Sequence, residues 1–154
     1  MPVSLPSKLE PGRVFTGIVL FSGSPMLLEV AAAAGTDFAI VDMEHSPLEL
    51  GECAHLMRAA EAAGMAAIVR VPEVDAALIK KILNLGAAGI AVPHATVERC
   101  RAALRAVRYA PEGDRGACPM VRSAGYGRKA WDRHAREANR RVVVIPLTWT
   151  CAGR

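Results

Sequence analysis

Short apolar runs rich in Val and Ile alternate along the chain with longer stretches rich in Ala and Leu. The runs VFTGIVL (14–20), TDFAIVD (36–42), AAIVRV (66–71), AGIAVP (88–93) and RVVVIPL (141–147) are apolar almost throughout. Apolarity without a period of two predicts strands buried on both faces, the habit of a parallel sheet. Residues 25–34, 47–63, 75–85 and 96–107 have the length and composition of helices. Gly35, Gly64 and Gly86 stand just past three predicted last turns, where a left-handed residue closes a helix. Asp75 and Thr96 stand at two starts, where a side-chain oxygen can accept from free backbone N–H groups. The predicted order is β-α-β-α-β-α-β-α, then a longer excursion, then a fifth strand.

Repeated βαβ units build either an open doubly wound sheet or a closed (β/α)8 barrel. A dinucleotide-binding doubly wound fold would place GxGxxG after the first strand, but the sequence there is LFSGSPML, with Gly23 alone. Polar residues gather instead at the C-terminal ends of strands: Asp42, Glu44 and His45 after the second, Arg70 on the third, His94 after the fourth. A barrel brings those ends to one face, where barrel enzymes carry their chemistry. The expectation is therefore an α/β fold, an incomplete (β/α)8 barrel of about the first five units. A whole barrel takes about 250 residues, so a chain of 154 is short of one. The final residues, TWTCAGR (148–154), continue neither pattern and read as an aberrant tail.

Composition narrows the partners. With 52% hydrophobic and 22% charged residues the chain can bury a core. The uncharged stretch 14–28 carries Gly, Ser and Pro and is shorter than a membrane span, and residues 1–12 show no secretory signal, so a cytoplasmic address is expected. Cys53, Cys100, Cys118 and Cys151 form no CxxC pair, which fits reduced thiols better than disulfides or zinc. The net charge of +4 is concentrated at 115–141, with eight Lys or Arg against Asp132 and Glu137. That run lacks an aromatic stacking series and reads as a solvated helix face, so no nucleic-acid partner is expected.

The chemistry sits in residues 40–47, IVDMEHSP, with two carboxylates and an imidazole at a strand end. A histidine beside a carboxylate is suited to moving a proton near neutral pH, although a loop histidine satisfied by its neighbours looks the same in sequence. Glu44 by itself reads equally as a structural loop carboxylate. Arg70 interrupts a buried apolar strand and must have an anionic partner. A substrate carboxylate and Asp42 on the adjacent strand are both candidates, since guanidinium holds a carboxylate in two-pronged fashion.

Four motifs in order resemble the HpcH/HpaI aldolases: D-M-E-H-S-P at 42–47, V-R-V-P at 69–72, G-A-A-G-I-A-V-P at 86–93 and R-Y-A-P-E-G-D-R-G at 108–116. The resemblance implies a (β/α)8 barrel that reversibly cleaves 4-hydroxy-2-oxo acids to pyruvate and an aldehyde, with a divalent Mg²⁺, Mn²⁺ or Co²⁺ holding the 2-oxo acid. Carried across by motif, His45 would be a general base acting through water, Asp42 would orient the network, and Arg70 would bind the pyruvate moiety. Asn84 falls where relatives often have an Asp paired with the catalytic His, and could reach a pocket only from a neighbouring chain; a helix-terminal Asn before Gly reads as well. His94 would line the rim, and Arg115 would contact an acidic substrate at the entrance. The family's metal-binding Glu after the fifth strand aligns near Trp149, so no metal ligand is expected in this chain. The rival readings are a non-catalytic fragment held in a homo-oligomer and a citrate-lyase-like CoA ester lyase.

Overall fold

The computed structural model describes residues 3–5 and 12–148. Its elements follow the predicted alternation: β1 (Gly17–Leu20), α1 (Pro25–Ala33), β2 (Phe38–Asp42), α2 (Leu50–Ala62), β3 (Ala66–Arg70), α3 (Ala76–Leu85), β4 (Gly89–Val92) and α4 (Val97–Val107). A short 3-10 turn at Arg122–Ala124, a further helix α5 (Trp131–Arg141) and β5 (Val143–Pro146) complete it. The five strands are all parallel and stand in chain order, β1-β2-β3-β4-β5. That order decides between the two candidate architectures. A doubly wound sheet reverses its strand order at a switch point, whereas strands laid down one beside the next are successive staves of a barrel.

Each strand sends alternate side chains to two different cores. Ala39 and Val41 of β2, Ala67 and Val69 of β3, and Ile90 and Val92 of β4 pack with the helices, against residues such as Leu56, Ile79, Ile82 and Ala103. The intervening Phe38, Ile40, Ala66, Ile68, Ala91, Val143 and Ile145 form a separate cluster with Leu5 and no helical residue. These are the outer and inner walls of a barrel segment. β3, in the middle, is buried along its whole length, while β1 and β5, at the two edges, are half-exposed.

Local chemistry sets the helix ends. The Asp75 carboxylate accepts from the backbone N–H groups of Ala77 and Leu78 at 2.6 and 3.1 Å, and the Thr96 hydroxyl accepts from that of Arg99 at 3.2 Å. α2 begins at Leu50, three residues past the expected Pro47, because Glu49 and Glu52 form a reciprocal capping box that fixes the first turn there. Gly86 ends α3 in the left-handed conformation, at φ +105°. α5 has no place in the predicted element order, although it falls in the basic run that reads as a solvated helix face. Its buried face carries His134 and Asn139. The Asn139 side chain acts as a short piece of backbone, accepting from the Tyr109 N–H at 2.8 Å and donating to the Tyr109 carbonyl at 3.0 Å. Trp131 and His134 pack against the Tyr109 ring, with centroids 5.0 and 5.9 Å away.

None of the helices among the described residues is long and apolar enough to cross a membrane. Cys53, Cys100 and Cys118 are free thiols. Cys151, Trp149 and the rest of the 149–154 tail lie outside the described residues.

Candidate functional site

β2 and β3 run side by side in a register that sets Asp42 directly beside Arg70, both at the C-terminal end of their strands. Arg70 Nε donates to Asp42 Oδ1 at 3.0 Å and Nη2 donates to Oδ2, a two-pronged pairing in which Asp42 is wholly buried and Arg70 nearly so. Of the two partners open to Arg70 in the sequence, Asp42 is thus one in fact. The same carboxylate organises the following turn: Asp42 Oδ1 accepts from the backbone N–H of Glu44 at 2.8 Å and of His45 at 3.2 Å, and the Ser46 hydroxyl donates to the Asp42 carbonyl. Burial pushes the Asp42 carboxyl upward, but the Arg70 hydrogen bond and the two backbone N–H groups outweigh it and hold the group below the ordinary carboxylate range.

Glu44 is the residue whose importance emerges only here. Its nearly buried carboxylate lies 3.2 Å from Arg70 Nε on one side, 3.5 Å from His45 Nε2 on Oε2, and 3.6 Å from His94 Nε2 on Oε1. It therefore ties the buried ion pair to two imidazoles that are themselves 60% and 73% exposed. The sequence signal was its place in the group of two carboxylates and an imidazole at the end of the second strand. His94 is held with φ at +47°, an uncommon conformation for a residue bearing a Cβ and one that clusters at functional sites. The Ala95 N–H that follows it donates to the Leu147 carbonyl at 3.1 Å, so the turn is anchored past the end of β5.

Asp42, Glu44, His45, Arg70 and His94 are thus brought together at one end of the sheet. Asn84 and Arg115 are not among them. Asn84 is in the last turn of α3, next to the start of β4, and its Oδ1 accepts from Arg115 Nη2 at 3.0 Å. Within one chain Arg115 contacts Asn84 and none of the residues around His45. The loop that follows α4 begins where a barrel helix has returned to the N-terminal edge of the sheet, so Arg115 lies at the far end.

Residues 16–147 match the family described as HpcH/HpaI aldolase/citrate lyase. The chain belongs to that family. It is 38% identical over 130 residues to 2-dehydro-3,6-dideoxy-6-sulfogluconate aldolase of Pseudomonas putida, a match covering 84% of this chain and 50% of that protein. It is 36% identical to 4-hydroxy-2-oxovalerate aldolase of Novosphingobium aromaticivorans, over 92% of this chain and 54% of the relative. Among solved structures, an HpcH/HpaI aldolase from Desulfitobacterium hafniense DCB-2 superposes with a TM-score of 0.85 at 30% identity, covering 94% of this chain and 56% of that one. The chain therefore spans about half the length of the curated relatives it matches.

The family implies a divalent cation, and the donors at the strand ends do not fit one. Asp42 is engaged by Arg70 and two backbone N–H groups, and Glu44 by Arg70 and two imidazoles. Among the described residues no group of three or more His, Cys, Asp or Glu is disposed to hold a metal ion.

Proposed function

We propose that this chain carries the proton-transfer and oxyanion-recognition part of a 2-oxo-acid aldolase barrel, the part that acts on pyruvate and an aldehyde. The observation that supports it most is the Glu44 carboxylate joining Arg70 to His45 and His94 at the C-terminal strand ends. In the cleavage direction a 4-hydroxy-2-oxo acid must lose its hydroxyl proton as the C3–C4 bond breaks, releasing an aldehyde and the pyruvate enolate. His45, exposed and leaning on Glu44, is placed to take that proton through water and to return one to the enolate carbon. Arg70 is aimed by Asp42 and Glu44 through Nε and Nη2, which leaves Nη1 for an oxygen of the pyruvate moiety. His94 lines the rim. Asn84 could enter such a site only from a second copy of the chain. No step is assigned to a metal ion, and we propose that the 154-residue chain alone does not turn over.

Pyruvate binding tests this reading on the chain as it is. Adding pyruvate should move the imidazole resonances of His45 and His94, and Arg70→Lys should weaken that response while leaving the fold intact, because an ammonium cannot reproduce guanidinium geometry. Unmoved resonances at saturating pyruvate would remove the proposed site.

A second reading, a non-catalytic assembly of this chain with itself, is favoured by the half-exposed edge strands β1 and β5, with Val19 at 49% exposure. Open parallel edges recruit partners. Sedimentation should then show a homo-oligomer; a compact monomer that melts cooperatively and binds no hydrophobic dye would refute it.

A further inference from the structure

The N-terminal end of the sheet, away from His45, borders a partly open cavity of about 80 Å³ lined by Ala88, Arg115, Ser123, Lys129, His134 and Arg141, among others. Three polar atoms of these side chains, Arg115 Nε, Ser123 Oγ and His134 Nε2, are fully buried and have no hydrogen-bond partner among the described residues. Their residues are 8%, 8% and 6% exposed. Buried polar atoms in native proteins are paired in the great majority of cases, so three orphans around one space point to something that fills it.

Charge says what kind of group that is. Arg115 is a buried guanidinium that makes no ion pair with a carboxylate among the described residues. Its Nη2 donates to the neutral Asn84 amide oxygen, and its plane lies 4.5 Å from the Tyr109 ring centre. An unpaired buried cation is costly, and its missing partner is an anion. Lys129 and Arg141 line the same space, while Glu137 is the one carboxylate there. Glu137 is already shared by Arg133 at 2.9 Å and Arg141 at 3.9 Å. The surroundings register on His134, which burial, then Lys129 and Arg115, hold below its ordinary pKa, with only Glu137 opposing.

We propose that this cavity is a second binding site, for a compact oxyanion of the phosphate type. Its volume is several times the roughly 10–15 Å³ that a single water needs and suits a group of a few heavy atoms. The donors around it, a guanidinium N–H, a hydroxyl, an ammonium and an imidazole, outnumber what a monocarboxylate uses and match a tetrahedral dianion. Lys129 is already oriented, its Nζ donating to the Ser123 carbonyl at 3.1 Å. The site is independent of the aldolase reading, because it uses neither Glu44 nor the strand C-termini.

Titrating the full chain with inorganic phosphate at constant ionic strength tests it. The expected result is saturable one-to-one binding in calorimetry, a higher melting temperature than in matched chloride, and an upward shift of the His134 imidazole pKa with His45 unmoved. Lys129→Ala and Ser123→Ala should each weaken phosphate by about tenfold, the scale of one charge-assisted or neutral hydrogen bond lost, whereas Arg128→Ala, outside the cavity, should not. Phosphate acting no differently from chloride, a response at His45 instead of His134, or full affinity in Lys129→Ala would each overturn the proposal.

Discussion

Arg70→Ala should cost about 3–5 kcal/mol of folding stability, the scale for breaking a buried ion pair from one side. The side chain is 8% exposed and its partner Asp42 is wholly buried. Removing the guanidinium leaves that buried carboxylate with only two backbone N–H groups, and strips Glu44 of its closest cation. Adding Asp42→Asn to Arg70→Ala should recover a large part of the loss, since the stranded charge is then gone. Denaturant melts of the single and double variants measure this. Acid should act on the same pair. The folded Asp42 pKa is depressed from 3.8, so its contribution is present above that value and is lost as pH falls toward the lower folded one. Melts repeated down through that window should show the wild type losing stability faster than the double variant. Recovery of stability in the double variant with pyruvate affinity unchanged in both would leave Arg70 a purely structural residue.

His45→Ala should lower the rate of pyruvate release by about 10²- to 10⁴-fold in a chimera in which a relative's remaining barrel units complete this sheet, the range for a positioned general base. His45 is the imidazole to test first because its backbone N–H is fixed by Asp42 while its ring contacts Glu44 and meets solvent. His94→Ala should cost much less, since that residue is placed to shape the rim. The fall should be in kcat with KM little changed. A loss confined to KM would recast His45 as a binding residue.

The order of elements and the position of the candidate site were legible because both rest on short-range patterns. Val- and Ile-rich runs of strand length, glycines past helix ends and Asp75 and Thr96 at helix starts act through neighbouring residues, and the structure places strands and caps within a few residues of where those signals stand. Asp42, His45, Arg70 and His94 were visible as polar residues at the ends of apolar runs, a pattern that parallel strands convert into one cluster. The buried face of α5 was not visible in a run that reads as a solvated helix face, because an apolar stripe disappears when the buried positions are His134 and Asn139 and their partners are the Tyr109 ring and backbone.

The sequence by itself determined a chain of β/α units, a barrel rather than a dinucleotide fold, and a histidine, two carboxylates and an arginine at the strand ends. Only the tertiary structure decided which of these touch. The β2–β3 register sets Asp42 beside Arg70, and the turn after β2 swings Glu44 between Arg70, His45 and His94, contacts that depend on distances across strands 28 residues apart in the case of Arg70 and Asp42. Likewise, nothing local separates Arg115 from the other polar loop residues. Its place at the far end, over Tyr109 and beside His134, follows from the return of α4 to the N-terminal edge and the packing of α5 there, long-range facts that no spacing along the chain encodes.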